Sequence, residues 1–248
     1  MEKPFLTASW RYLAMMNYRI EPAVLTNYVP PGTELDFHQG ETFISLVAFL
    51  FLDTRVLGLA VPRHRNFEEV NLRFYVRRKS ADTWRRGVCF IRQIVPRQAI
   101  AIVARVFYGE PYLALPMKSY IVHRDAQVEV NYGWRRGKKW ESLSMFATGD
   151  PIRTAAGSPE EFITEHYWGY TKTRAGCSEY RVEHPRWKIW PAASTTLEAD
   201  VAALYGKEFV DTLGAPPVSK FIGEGSDVRV WRKSDDPVLA EAMAVCSR

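Results

Sequence analysis

The stretch EEVNLRFYVRR, residues 68–78, decides how this chain is read. Val70, Leu72, Phe74 and Val76 fall on one face of an extended segment. Glu69, Asn71, Arg73, Tyr75 and Arg77 fall on the other. Side chains of a strand alternate between faces, so the pattern predicts a β-strand with one apolar side. The second side is left with two readings. Facing water, it is a solvated strand surface. Facing a lumen, it is a polar pocket wall carrying both signs of charge.

Working outward, further strand patterns appear at RYLAMMNYRI (11–20), GVCFIRQIV (87–95), YIVHRDAQVEVNYGW (120–134) and KKWESLSMFAT (138–148). SEYRVEH (178–184), WKIWPA (187–192) and DVRVWRK (227–233) complete the set. TFISLVAFLFL (42–52) is apolar on both faces and predicts a strand buried on both sides. WRRGKKW (134–140) is a basic hairpin turn.

Helices are fewer. In EPAVLTNYV (21–29) Pro22 suits the first turn, and Pro30-Pro31-Gly32 stops it. RQAIAIVARVFYG (97–109) places Ile100, Val103 and Phe107 on one stripe before Gly109. SPEEFITEHYWGYT (158–171) starts with Ser158 as cap, Pro159, and Glu161 at the capping-box position. DVAALYGKEFVDTLGAPP (200–217) and DDPVLAEAMAVC (235–246) are the remaining helical patterns. No βα rhythm, repeat or linker is visible. The expectation is one domain, 1–248, of class α+β: a closed or nearly closed antiparallel barrel decorated by helices. Such barrels commonly enclose a small-molecule cavity.

Composition narrows the function classes. Of 248 residues 47% are hydrophobic and 13% aromatic, with a net charge of +5. Between 63 and 97 ten Lys/Arg meet three acids, a local excess of seven that leaves the rest near −2. That stretch lies on alternating strands, not on a recognition helix or a tail, which argues against nucleic acid as partner. The cysteines Cys89, Cys177 and Cys246 form no paired framework, so a reducing cytoplasm is expected. The first twenty residues lack a signal peptide's apolar core. The longest apolar run, FISLVAFLFL, is about half a membrane helix, so no membrane partner is expected. Homo-oligomerisation stays open.

Several residues could carry chemistry. Arg73 in a partly dry cavity would hold a carboxylate through two parallel hydrogen bonds, with Asn71 beside it. Glu69 would act as acid or base if burial raised its pKa. Phe162, His166 and Tyr170 share a helical stripe, which turns His166 inward. His184 follows Tyr180 and Val182 on the more apolar strand face. Each is either a satisfied core histidine or a proton carrier near neutral pH. His38, His64 and His123 show no ligand spacing, and HExxH, GxSxG, the P-loop and GxGxxG are absent, so neither metal nor cofactor is expected. The adjacent Lys138 and Lys139 sit in an exposed turn that offers no pocket.

The segments NYRIEPAVLTNYVPPGTELD, FEEVNLRFYVRR, RGVCFIRQIVPR, VARVFYGEPY, EHYWGYT and YRVEHPRW together resemble the YqjF-like family of uncharacterised proteins, over roughly residues 9 to 232. That family is similar in fold to acetoacetate decarboxylase. The resemblance implies a helix-decorated antiparallel barrel with a central cavity. The decarboxylases carry a Gly-Arg-Glu segment followed by Pro-Lys-Lys, whose first lysine forms a Schiff base with its pKa lowered by its neighbour. Here Arg105 falls on the arginine and Pro111 on the proline, but Tyr112 and Leu113 replace both lysines, and Lys118 lies six residues beyond Tyr112. An aromatic-x-Glu-Val segment with an active-site glutamate is matched by FEEV, which puts Glu69 there. The resemblance therefore implies a cavity wall that includes Glu110 and Tyr112 without imine chemistry.

The reading that follows is a barrel binding a small carboxylate- or carbonyl-bearing metabolite. As an enzyme it would use lyase- or hydratase-type acid/base catalysis, with Glu69, Tyr112 and His166 catalytic and Arg73, Asn71, Arg105, Glu110 and His184 binding. The alternative is a non-catalytic binding or sensing module on the same scaffold.

Overall fold

The computed structural model describes residues 3–60, 62, 64–81, 83–98, 109–173 and 176–235. In chain order the described strands are β1 (Leu6–Ile20), β2 (Glu34–Leu35), β3 (Thr42–Val56), β4 (Leu59–Ala60), β5 (Phe67–Ser80), β6 (Thr83–Val95), β7 (Tyr112–Ala114), β8 (Met117–Arg124), β9 (Gln127–Arg136), β10 (Lys139–Thr148), β11 (Ile152–Arg153), β12 (Trp168–Thr173), β13 (Gly176–Glu183), β14 (Lys188–Glu198), β15 (Ser219–Val230) and β16 (Ser234–Asp235).

Seven of these strands pair in a cycle: β13, β12, β6, β5, β3, β1, β15 and back to β13. The ring is uneven. β1, β3 and β5 pair along most of their lengths. The junctions beside β12 and β13 are short. β12 meets β6 in parallel only at Trp168↔Gly87 and Gly169↔Val88, and β13 meets β15 at Val182↔Val230 and Glu183↔Arg229. From β15 the pairing also runs on through β14, β10, β9 and β8 into a second antiparallel sheet.

This second sheet settles which way the 68–78 row faces. Val70, Leu72, Phe74 and Val76 pack in one core cluster with Val128, Val130, Tyr132, Trp134 and Leu143 of the second sheet. The outside of β5 is therefore covered. Tyr75 belongs to a different cluster with Leu13, Val47, Phe49 and Phe51, inside the ring. Glu69 and Asn71 are 3% and 1% exposed. From Glu69 to Tyr75 the polar side of β5 faces the ring's interior, while Arg77 lies nearer the surface and pairs with Glu34.

The next strand breaks its own alternation. Val88 and Phe90 point into the ring, and so do Gln93 and Val95. A β-bulge between the pairs Leu72↔Arg92 and Arg73↔Phe90 inserts one residue into β6. Without it Gln93 would point outward, because the side-chain period of a strand is two.

Several expected elements change shape. The helix from 158 is only Pro159–Thr164, and Trp168–Thr173 is strand. Phe162, His166 and Tyr170 therefore share no helical stripe. Phe162 packs inside the ring and Tyr170 in the outer cluster. Ser158 Oγ does cap, accepting from the Glu161 N–H at 3.2 Å, while Glu161 Oε2 reaches the Gly157 N–H at 2.8 Å, one residue before the position a capping box would use. The 200–217 helix breaks into Val201–Leu204, a 3₁₀ turn Lys207–Phe209 and Val210–Gly214, interrupted at Gly206 with φ 124°. The 120–134 stretch is two strands turning at Asp125, φ 51°. The helical stripe at Ile100–Phe107, and the 235–246 helix past Asp235, lie outside the described residues. Among the described residues no helix is long and apolar enough to cross a membrane.

Candidate functional site

Sheet register places a row of polar side chains on the inner wall. Asn71 of β5 pairs with Gln93 of β6, and Gln93 pairs in turn with Tyr112 of β7. Residues directly opposite one another share a face, so all three point into the ring. Glu69 lies two residues before Asn71 on that face. Its Oε1 accepts from Asn71 Nδ2 at 3.0 Å and its Oε2 from the Tyr112 hydroxyl at 3.1 Å. Burial pushes the Glu69 carboxyl up to about 7, although the Asn71 and Tyr112 bonds and the Arg73 charge pull the other way. The Tyr112 phenol is raised well above its ordinary value, first by burial and then by the Glu69 charge.

Glu110 reaches the wall through a turn. Gly109 takes φ 69°, open to glycine without strain, and Pro111 disfavours a helical Glu110. The Pro111 carbonyl then accepts from the Gln93 N–H at 3.1 Å, docking the turn on β6. The Glu110 carboxyl takes Gln93 Nε2 at 3.0 Å, Thr171 Oγ1 at 2.7 Å and the Tyr180 hydroxyl at 3.2 Å. Burial still pushes it up to about 8, and the Glu69 charge adds to the rise. Two carboxyls on one wall thus hold protons near neutral pH. The Tyr180 ring is aimed by Gly169, its cross-strand partner, where any Cβ would overlap it.

His166 follows the helix at Pro159–Thr164. Its Nε2 is 3.0 Å from Asp36 Oδ2, and Arg86 Nε donates to the same oxygen at 2.6 Å. Burial opposes ionisation of Asp36, but the bonds from His166 and Arg86 outweigh it and keep the carboxyl below its usual value. Burial lowers the His166 imidazole to about 4, with Arg86 and Arg73 adding to the fall and Asp36 resisting it. A neutral ring donating Nε2–H to Asp36 carries its lone pair on Nδ1, and that atom is buried without a partner. His184 is also lowered to about 4, by burial and by Arg73. It stacks on Trp187 with ring centroids 4.2 Å apart.

Glu69, Asn71, Arg73, Glu110, Tyr112, His166 and His184 all border one cavity of about 240 Å³. Arg105 lies outside the described residues. Arg73 Nε and Asn71 Oδ1 are buried without partners, and Arg73 is in no ion pair among the described residues. Buried polar atoms are normally satisfied, so orphans along one cavity mark where a ligand's polar atoms would go. The same cavity is also bordered by the aromatic rings of Trp10, Phe49, Phe51, Phe67 and Trp187, with Phe49 the cross-strand neighbour of Glu69. No lysine borders the cavity, and none of the residues outside the described set is a lysine. Lys118 is exposed, with Nζ 4.3 Å above the Trp140 ring.

Sequence reasoning missed Gln93, Thr171, Asp36 and Arg86, and gave Tyr180 no role. Only Gln93 left a signal: the apolar phase of β6 slips between Phe90 and Val95. The others come from distant segments.

Residues 7–224 match the family model DUF2071, described as an uncharacterized conserved protein. The chain belongs to the DUF2071 family. A relative, the uncharacterized protein YqjF of Bacillus subtilis, is 27% identical over 185 residues, 73% of each chain. The DUF2071 chain is also similar to solved structures. Acetoacetate decarboxylase from Legionella pneumophila superposes with a TM-score of 0.62 at 15% identity, covering 94% of this chain and 87% of that one. An acetoacetate decarboxylase-like enzyme from Sphingomonas wittichii gives 0.63 at 15% identity, covering 94% and 93%. The enduracididine biosynthesis enzyme MppR with bound HEPES gives 0.63 at 11% identity, covering 94% and 88%. At these identities the likeness establishes the acetoacetate decarboxylase-like fold for this DUF2071 member.

Proposed function

We propose that the ring binds a small oxo acid in its cavity and moves a proton at the carbon beside the carbonyl, without a Schiff base. One observation carries this reading. Glu69, held by Tyr112 and Asn71, shares a strand face with Arg73, which is in no ion pair among the described residues and whose Nε is buried without a hydrogen-bond partner. Arg73 takes the ligand's carboxylate. Glu69, poised near 7, takes or returns a proton, since an acid/base group works best with its pKa near the working pH. Tyr112 shifts its hydroxyl from Glu69 to the carbonyl oxygen and donates to the developing oxyanion. Glu110, near 8, keeps a second proton within the same wall. Enolisation, hydration and dehydration all fit this set. Imine formation has no amine at the cavity to begin from.

Glu69→Gln tests the reading, because it keeps the shape and the Asn71 contact while removing the titrating group. The variant should retain ligand affinity and lose solvent-deuterium exchange at the carbon next to the carbonyl by about 10²-fold or more. Exchange that survives the substitution refutes the assignment. Wild-type protein that binds oxo acids without exchanging them is instead a binding or sensing module on this scaffold.

A further inference from the structure

We propose that the preferred ligand is an aryl-substituted oxo acid, with its ring seated among Trp10, Phe49, Phe51 and Phe67 and its carboxylate on Arg73. The proposal rests on the carboxylate reading above and adds the substrate class.

The cavity wall carries an aromatic patch that adjoins its polar row. Phe49 and Phe51 of β3 are the cross-strand partners of Glu69 and Phe67 of β5, so the rings share a face with the carboxyl. Trp10 lies edge-on to Phe49 and Phe51 at centroid distances of 5.3 and 5.6 Å, and Phe51 stacks on Phe67 at 4.7 Å. Trp187 closes the set at 6.3 Å from Trp10. These rings belong to the cluster inside the ring, yet they border open space instead of filling it. Aromatic edges and faces facing a gap forgo dispersion contacts that a flat partner would restore.

Size points the same way. A cavity of roughly 150 Å³ accommodates benzene. The present cavity of about 240 Å³ leaves room beyond a ring for a short polar arm, about the liquid volume of three waters. A three- or four-carbon acid satisfies Arg73 and leaves the aromatic patch uncovered. A ring alone leaves Arg73 Nε and Asn71 Oδ1 unpartnered. A ring joined by a short link to a carbonyl and a carboxylate meets both demands.

The test is binding of phenylpyruvate, phenylacetate, pyruvate and acetoacetate to the full chain, followed by calorimetry and by the fluorescence of Trp10 and Trp187, which border the cavity. Phenylpyruvate should bind about 10- to 100-fold more tightly than pyruvate, the range expected for burying one phenyl group. Arg73→Met should weaken phenylpyruvate at least about tenfold. Arg73→Lys, which keeps the charge and loses the paired hydrogen bonds, serves if the Met variant does not fold. Phe51→Leu should narrow the phenylpyruvate-to-pyruvate ratio with little change for pyruvate. Pyruvate or acetoacetate binding as tightly as phenylpyruvate overturns the aryl assignment and leaves the carboxylate reading intact. Failure of all four acids to bind overturns both. Phenylpyruvate binding that ignores every Arg73 variant overturns the placement of its carboxylate.

Discussion

Replacing Glu110 by Gln should flatten the pH dependence of folding between pH 6.5 and 8. The carboxyl titrates near 8 in the fold and near 4.5 when the chain unfolds. A carboxyl raised in the folded state contributes stability that is full below the unfolded value and is lost as pH rises through the folded one. Glu69 behaves alike, with its folded value near 7. His166 and His184 have the opposite sign: lowered to about 4, they contribute stability above the ordinary imidazole value and lose it as pH falls towards 4. Between about 4.5 and 6.5 the two pairs oppose each other and the profile is shallow. Above 6.5 the unfolded imidazoles shed their remaining protons within about one pH unit, so the opposing slope fades and the carboxyls dominate. At about 1.4 kcal/mol per pH unit for each proton released, wild-type stability should fall by about 2 kcal/mol from pH 6.5 to 8, the larger part through Glu110. Urea unfolding at pH 6.5, 7.25 and 8 measures this directly. Glu110→Gln should remove more than half of the fall, and a second substitution, Glu69→Gln, most of the rest. A flat or rising wild-type profile, or a variant with the full slope, refutes the burial of two protonated carboxyls in one wall.

Three further outcomes follow from the same geometry. Gly169→Ala puts a methyl group into the Tyr180 ring, so it should destabilise the fold by about 1–3 kcal/mol in a thermal melt and shift the apparent pKa of Glu110 by removing one of its donors. Borohydride treatment in the presence of phenylpyruvate or acetoacetate should leave the protein mass unchanged, and a reduced adduct on any lysine would contradict the imine-free mechanism. The protein should pass through heparin at about 50 mM salt, because Arg65, Arg77, Arg78, Arg85 and Arg86 are each committed to an acid, Asp53, Glu34, Glu179 or Asp36. Retention that declines steeply with salt would reverse that expectation.

Much of this molecule is legible residue by residue. Alternation located β5 and the outer apolar row, because the period of two is a property of the local backbone. The start of the helix at Pro159 was equally plain, since Ser158 and Pro159 act on neighbouring atoms. Its end was not. Nothing between Phe162 and Tyr170 forbids helix, and it is pairing with β6 and β13 that draws Trp168–Thr173 into strand. Arg86 and Asp36 were hidden for the same reason, standing 80 and 130 positions from His166 with no pattern to link them.

From its sequence alone the chain declares two-faced strands and a glutamate–arginine row on one of them; its resemblance to the decarboxylases adds the expectation of a phenol, Tyr112, in place of their amine. Whether that row meets water or a lumen is decided by the second sheet, which covers the outer side of β5 and leaves the polar side only the interior. The same closure withdraws water from Glu69 and Glu110 and so sets their proton affinity. Desolvation depends on what the whole chain packs around a group, and no local stretch of sequence contains that information.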